Sequence, residues 1–446
     1  MKHLTKFETL EQAQGLVLDH TNTPHISLIE ELRNTTTGGL TFTNYIPFHD
    51  YSQDYFTLIA LENGSFDIIC PSGGISYSDD GGETWSDSYG DHQISDVTAG
   101  SKILLKGDLF ELDSYIPAES GEEDSESTSE SESLFANFIN ATGNYAIEGN
   151  IMSLLFEDNF RNQFNLVKNG IFKEFFRNDT KLISIQNLVL PATTLTGECY
   201  SRMFEDCSSL TTALNILPAT TLAYYCYSYM FQNCTSLTTA PELPATSLAD
   251  NCYTEMFNCC TSLTTAPELP ATTLANNCYS YMFDNCTSLT TAPELPATTL
   301  AEYCYEVMFG NCASLTTAPE LPATTLEDNC YRAMFSGCTA LTTAPELPAT
   351  TLADNCYNVM FSECTALTTA PELPATTLAE NCYSNMFYGC TSLNYIKCLA
   401  TDISAHNCLY RWMNGVAATG TFIKDSNVTW PTGDSGIPSG WTVQDA

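Results

Sequence analysis

Residues 295–320 read Leu-Pro-Ala-Thr-Thr-Leu-Ala-Glu-Tyr-Cys-Tyr-Glu-Val-Met-Phe-Gly-Asn-Cys-Ala-Ser-Leu-Thr-Thr-Ala-Pro-Glu. Eight variants of this stretch follow one another from Leu190 to Leu393, with a first step of 27 residues and later steps of 26. The first cysteine of each copy stands at Cys199, Cys226, Cys252, Cys278, Cys304, Cys330, Cys356 and Cys382. A fixed period of this length is typical of solenoids, in which each copy shares its apolar core with its neighbours.

The apolar residues of one copy predict a short helix. Five of them fall on one stripe of a helix of about two turns. These are Cys304, Tyr305, Met308, Phe309 and Cys312. Glu306 and Val307 vary between copies, so we assign them to the solvent face. Asn311 favours the left-handed conformation that ends a helix. The following Leu-Thr-Thr-Ala predicts a short strand before the prolines, which exclude a helix interior. The predicted unit is strand, turn and short helix.

Stacking of such units would turn each position into a ladder of equivalent side chains. The predicted structural core ladder contains Met230, Phe231, Met256, Phe257, Met282, Phe283, Met308 and Phe309. The candidate ligand-facing ladder on the strand side contains Thr239, Thr265, Thr291, Thr317, Thr343 and Thr369. A further tyrosine in each copy either covers the core or stacks on sugars.

The pattern Phe-x-x-Cys-x-x-Leu, followed by a short strand and Leu-Pro, resembles the BspA-type leucine-rich repeat family. The resemblance covers roughly half of the chain and recurs in every copy. It implies an α+β fold with a C-terminal leucine-rich-repeat-like solenoid, capping repeats, and small α/β and β-rich N-terminal domains. The unit is a few residues longer than is usual in the family, and alanine replaces the usual strand isoleucine.

The chain contains 20 cysteines. Two cysteines of one copy are eight residues apart, roughly 12 Å along a helix, whereas a disulfide needs Cα atoms within about 7 Å. Bridges between neighbouring copies stay open. The interpretation we favour is a small, reduced, buried side chain. Zinc is disfavoured because the repeats contain neither a Cys-x-x-Cys pair nor a histidine.

Composition narrows the function classes. The 446 residues carry 15 basic and 53 acidic side chains, a net charge of −38. Such a chain repels the phosphates of nucleic acids and anionic membranes. No apolar stretch is long enough to span a bilayer, and the first residues lack the apolar segment of a signal peptide. We therefore expect no nucleic-acid partner, no membrane insertion and no conventional export.

The sequence contains no arrangement that predicts an enzyme, a cofactor or a metal centre. No phosphate-binding glycine loop opens a predicted helix. The glutamates recur as a ladder, which indicates a solvated edge or, alternatively, a calcium-binding row. They are Glu242, Glu268, Glu294, Glu320, Glu346 and Glu372.

The β-rich segment contains two hairpin signals. Asn63-Gly64 lies between Tyr55–Ala60 and Ser65–Cys70, two strand-like runs, and is typical of a two-residue turn. Ser78 to Trp85 matches Ser-x-Asp-x-Gly-x-Thr-Trp, which resembles the Asp box of sialidase propellers. In those proteins the motif shapes a hairpin turn and does no chemistry. It nevertheless raises a glycan-active enzyme as a remote alternative.

The opening of the chain carries a second resemblance. Its Lys-Phe-x-Thr start, its Ile-Ser-Leu-Ile-Glu-Glu segment and its Tyr-Ile-Pro-Phe end are similar to virion proteins of tailed phages of gut Bacteroidota, including crAss-like phages. The resemblance implies attachment of residues 1–116 to other virion proteins. The expected function is then a phage fibre or decoration on the exterior of the virion, a homo-oligomer and most simply a trimer. Its solenoid would adhere to a host surface glycan or protein. A BspA-like bacterial cell-surface adhesin is the main alternative.

These observations divide the chain into six segments. They are a virion-attachment α/β segment (1–50), a β-rich domain with the Asp-box hairpin (51–116), an acidic Ser/Glu linker (117–134), N-terminal capping repeats (135–189), the eight-copy solenoid (190–393) and a C-terminal cap (394–446).

Overall fold

The computed structural model describes residues 50–70, 74–109, 137–166 and 168–446. The predicted virion-attachment segment, apart from its last residue, and the acidic linker lie outside the described residues. The described N-terminal strands are β1 (Phe56–Ala60), β2 (Gly64–Ile68), β3 (Gly74–Ser78), β4 (Ser86–Tyr89), β5 (His92–Val97), β6 (Lys102–Gly107), β7 (Ile139–Ala141), β8 (Tyr145–Asn150) and β9 (Leu182–Val189). One short helix, α1 (Ser153–Phe156), and 3-10 turns at Tyr51–Gln53 and Glu157–Asn162 accompany them.

The N-terminal strands form two sheets. The larger sheet has the order β4-β3-β6-β1-β8-β9, and the smaller has the order β5-β2-β7. β1 is central, and its Phe56, Thr57 and Leu58 keep at most 4% exposure, as expected of a strand covered on both faces. Strand β9 pairs with β8 in parallel. Both come from the segment predicted as capping repeats, so one sheet joins residues of that segment to the β-rich domain.

The hairpin predicted around Asn63-Gly64 is wrong. β1 and β2, which flank this dipeptide, belong to different sheets, because β6 and β8 already occupy both edges of β1. Gly64 instead lies against the backbone of Gly143, where an added Cβ would come within 2.8 Å of the Gly143 nitrogen. The glycine marks a close crossing of two chain segments, not a two-residue turn.

The short helix predicted in each copy is also wrong. Residues 303–312 and their equivalents, here called the turn segment, contain no helix in the described chain. Every fourth residue has a left-handed backbone, with φ of 57° at Tyr303, 52° at Val307 and 55° at Asn311. Alternate N–H groups of the turn segment donate to the carbonyl three residues earlier, as Met308 does to Tyr305 at 3.2 Å.

The remaining N–H groups of the turn segment bond to the next copy. Val307 donates to the carbonyl of Arg332 at 2.8 Å, and Phe309 donates to that of Met334 at 2.9 Å. A four-residue conformational period places the same apolar positions on one side as a helical period of 3.6 does. The spacing therefore predicted the buried side correctly and the backbone wrongly. Half of the N–H groups in the turn segment bond to a neighbouring copy, and the spacing of residues within one copy carries no information about these bonds.

Consecutive copies lie in contact along the whole series. The tyrosine rings stack at centroid separations such as 5.8 Å for Tyr305 on Tyr331, and the phenylalanines at 5.7 Å for Phe309 on Phe335. On the strand side, copies are joined by isolated parallel bridges, among them Thr265 to Thr291, in place of a continuous strand. The predicted core ladder is fully buried at Met230, Phe231, Met256, Phe257, Met282, Phe283, Met308 and Phe309.

Both ends of the series are covered. Phe172 stacks on Tyr200 at 5.7 Å and Phe176 on Phe204 at 5.4 Å, so this cysteine-free segment occupies the place of a preceding copy. At the other end Trp412 stacks below Tyr383 at 6.3 Å. The altered helix predicted at Cys408–Met413 is another turn segment. Three parallel strands close this end: β10 (Tyr395–Cys398), β11 (Thr421–Lys424) and β12 (Thr442–Asp445).

Candidate functional site

The candidate threonine ladder lies on the solvent side of the repeats. All six side chains are exposed: Thr239, Thr265, Thr291, Thr317, Thr343 and Thr369. Within the described part of the chain, none of these six hydroxyls hydrogen-bonds to a protein group, whereas the preceding threonine can donate to the neighbouring copy, as Thr342 does to the Thr316 carbonyl at 3.2 Å. The unpaired hydroxyls can donate to and accept from a ligand.

The spacing of the ladder follows from the stacking of the copies. Thr265 bridges Thr291, and Thr317 bridges Thr343, in parallel register. The core rings beneath repeat at 5.6–5.8 Å in the same copies. One hydroxyl is thus presented once per copy in a regular row, a geometry suited to a ligand with many similar groups.

The glutamate ladder runs beside the threonines. Each glutamate follows its threonine by three residues and is exposed: Glu242, Glu268, Glu294, Glu320, Glu346 and Glu372. Glu372 pairs with Lys397 at 2.9 Å. Among the described residues, no three His, Cys, Asp or Glu side chains come together at a spacing suited to a metal ion. The arrangement therefore offers hydroxyl and carboxylate rows, both of which hydrogen-bond to polar ligands.

The tyrosine ladder is part of the core, so its use for stacking on sugars is wrong. Its members keep at most 2% exposure: Tyr227, Tyr253, Tyr279, Tyr305, Tyr331, Tyr357 and Tyr383. Burial raises the pKa of each of these phenols well above its usual range.

The assignment of the variable positions to the solvent face needs correction. Glu306 retains 8% exposure and Ser280 retains 3%. The Glu306 carboxylate pairs with Arg332 of the following copy. Glu255 accepts from Gln232 at 2.6 Å and from Asn258 at 3.0 Å. These positions vary because each side chain must match its neighbour in the next copy, and they are partly covered by that neighbour.

The second cysteine of each copy is a hydrogen-bond donor. The Cys312 thiol donates to the Phe283 carbonyl at 3.2 Å, and the same carbonyl accepts the Cys286 N–H at 3.1 Å. The same contact recurs at Cys207, Cys234, Cys260, Cys286, Cys338, Cys364 and Cys390. Burial raises the pKa of Cys338 and of Cys390 to about 12. A protonated thiol at this position joins consecutive copies.

The Asp box forms the predicted hairpin between β3 and β4. Asp80 accepts the Thr84 hydroxyl at 2.6 Å, the Thr84 N–H at 3.0 Å and the Ser78 hydroxyl at 2.7 Å. These bonds, chiefly that from the Thr84 hydroxyl, hold the pKa of the carboxyl far below its usual value. Trp85 packs against Tyr55 and lies below Lys106. The motif is therefore occupied in shaping its own loop.

A cleft at the N-terminal end of the repeats was not predicted from the sequence. It is lined by β7 and residues 177–181. The sequence gives only a weak signal there. Arg177 and Lys181, two of the few basic residues, lie four positions apart. The cleft lies between β7 and residues 177–181, and the proximity of these two distant segments has no local signature.

Comparison with known proteins defines the class. The chain matches the family described as "BspA type Leucine rich repeat region (6 copies)" over residues 156–289, 201–342 and 306–411. These matches together span more than half of the chain, which therefore belongs to the BspA-type leucine-rich repeat family.

Other comparisons add little. A solved leucine-rich repeat protein from Bacteroides ovatus is 14% identical, with 68% of this chain and 96% of that chain covered and a TM-score of 0.21. No curated protein matches the chain.

Among the described residues, no helix combines the length and apolarity needed to cross a bilayer.

Proposed function

We propose that this protein is a non-catalytic adhesion protein whose stacked copies form a solenoid and present the threonine ladder to a host-cell surface glycan or protein. The observation that carries the proposal is the row of six exposed, unpaired hydroxyls in repeating register. Solenoids commonly bind partners over such extended surfaces. Weak contacts of one kind gain strength when several engage together.

We further propose that the protein is carried on the exterior of a phage particle as a homo-oligomer, most simply a trimer, and docks on other virion proteins through residues 1–116. Support comes from the similarity of its opening sequence to virion proteins. Closed symmetry is the usual way to multiply such a subunit. Mass spectrometry and immunogold labelling of purified particles test this part, and absence of the protein from the particles would refute it.

The second candidate is a bacterial cell-surface adhesin, which membership of the BspA-type family favours. Labelling intact bacterial cells with an antibody against the repeats separates the two locations. Both candidates use the same ladder, so the adhesion test below applies to either.

The adhesion test removes three ladder hydroxyls with Thr291→Val, Thr317→Val and Thr343→Val. Each hydroxyl hydrogen bond contributes about 0.5–1.5 kcal/mol, so the triple variant should bind host cells about tenfold more weakly or worse. Far-UV circular dichroism should remain unchanged, because valine keeps the branched shape. Pretreating the cells with periodate or with protease distinguishes a glycan from a protein ligand.

The matched control carries three valines in the loops of other copies, at Thr235, Thr261 and Thr365, whose hydroxyls bond to the preceding copy. This control should bind cells as the unmodified protein does. Equal binding by the ladder variant and the unmodified protein would refute adhesion through the ladder.

A further inference from the structure

The cleft at the N-terminal end of the repeats lies between β7 and residues 177–181, and a backbone hydrogen bond joins the two chain segments on either side of it. At one end Phe138 donates its N–H to the Phe175 carbonyl at 2.9 Å, and at the other Tyr145 donates to the Lys181 carbonyl at 3.0 Å. Between these bonds β7 diverges from residues 177–181. The resulting cavity has a volume of about 520 Å³, within the size range of small-molecule sites.

The lining of the cleft is rich in amides. Asn137, Asn140 and Asn178 are exposed, and their amide groups both donate and accept hydrogen bonds. Ile139 and Ala141 also border the cleft, but they are only 3% and 8% exposed and belong to the core. Several converging polar groups are typical of a binding pocket for a small polar ligand, and a sugar ring offers many hydroxyls.

The cleft also contains two of the chain's 15 basic residues. Arg177 is anchored by Glu174 at 3.2 Å and by Glu205 at 2.9 Å. Lys181 is half-buried and makes no salt bridge with any residue in the described ranges, although its charge acts on Asp179. In a chain with a net charge of −38, a lysine that forms no salt bridge among the described residues supplies a cation to which an anionic ligand can bind.

Asp179 shapes this wall and is not available to a ligand. Its carboxylate accepts the Tyr145 hydroxyl at 2.6 Å, the Lys181 N–H at 2.7 Å and the Leu182 N–H at 3.0 Å. The two bonds from N–H groups fix the backbone at Lys181, whose side chain lines the cleft.

We propose that this cleft binds a sugar acid, a monosaccharide that carries a carboxylate. Lys181 pairs with the carboxylate, and the three asparagines hydrogen-bond the ring hydroxyls. The cleft is separate from the threonine ladder, so sugar-acid binding and adhesion can each fail without the other.

The test is isothermal titration calorimetry of the full chain, kept reduced, with D-glucuronate as the probe. D-glucose tests the need for the charge, and acetate tests the need for the sugar. Saturable binding of glucuronate should be about tenfold or more stronger than that of either comparison compound, because a charge-assisted hydrogen bond contributes about 1.5–3 kcal/mol.

Variants locate the binding. Lys181→Met should weaken glucuronate binding about tenfold or more, and Asn140→Ala should weaken it while leaving the thermal transition close to that of the parent. Lys397→Met, which removes a lysine far along the chain, should bind as the parent does. The proposal is overturned if glucuronate does not bind, if acetate binds equally well, or if both cleft variants bind like the parent.

Discussion

Replacing one ring of the phenylalanine column should weaken the fold strongly. Phe309 is fully buried and stacks on Phe283 and on Phe335, each at 5.7 Å. A buried Phe→Ala change costs about 3–5 kcal/mol, and stacked aromatic pairs add about 0.5–1.5 kcal/mol each beyond the buried area. Phe309→Ala loses both pairs, so we expect a loss in the upper part of this range, about 4–5 kcal/mol.

Urea denaturation, followed by far-UV circular dichroism and by tryptophan fluorescence, measures this loss. The two signals need not coincide, because the fluorescence reports mainly on the C-terminal cap around Trp412, and copies in a repeat array can unfold in groups. Hydrogen exchange should accelerate first in the copies that contact residue 309.

An exposed aromatic residue provides the matched control. Tyr410 is 49% exposed, so Tyr410→Ala should change the free energy of unfolding by no more than about 0.5 kcal/mol. If Phe309→Ala cost under about 1 kcal/mol, or no more than Tyr410→Ala, the stacked-column account of stability would be refuted.

Three further predictions concern thiols, strain and pH. Apart from the half-buried Cys259, the cysteines from Cys199 to Cys390 should react slowly with a thiol reagent in the folded protein and rapidly in urea without reductant, because burial hides them and raises their pKa; fast reaction of these thiols in the folded form would contradict this. Val359 has a left-handed backbone with φ of 62°, so Val359→Asn should stabilise the protein by about 1 kcal/mol in urea denaturation, and a loss of stability would refute the assigned strain. Burial raises the pKa of Glu255 above its usual 4.5, so the folded state binds more protons above that pH and this carboxyl's contribution to stability falls as pH rises through the folded pKa. The free energy of unfolding of Glu255→Gln relative to the parent should therefore increase between pH 4 and pH 7, and a constant difference would contradict the burial of this carboxylate.

The sequence predicted which side chains face the core because burial depends on a repeating pattern that one copy already contains. A Met-Phe pair equivalent to Met308 and Phe309 occurs in every copy, and both of these residues are fully buried. The backbone could not be predicted in this way. The hydrogen bond from Val307 to Arg332 joins residues of different copies, so the choice between a helix and the turn segment depends on stacking.

The N-terminal sheets show the same limit. The Asp-box hairpin depends on contacts between Ser78, Asp80 and Thr84 within one loop, and the sequence predicted it. The pairing of β1 with β6 and β8 joins residues that lie far apart in the chain. No local pattern around Asn63-Gly64 could show that β1 had both edges occupied.

The same distinction, between a local pattern and contacts of distant segments, applies to the candidate sites. Repetition identified the threonine ladder, and in each of its six copies a buried leucine is followed by two exposed threonines. The cleft lined by Lys181 arises from distant segments. The pairing of the buried Glu306 with Arg332 was not predicted, because variation between copies is also typical of solvent-exposed positions.

Deleting whole copies tests most directly the claim that the stacked copies act together as one adhesive surface. Removal of residues 292–317 takes out one 26-residue copy and joins Thr291 to Ala318 in the original register. The shortened proteins should stay folded, and their binding to host cells should weaken with each further copy removed, since fewer contacts engage together. Binding that stays constant as copies are lost would contradict the account.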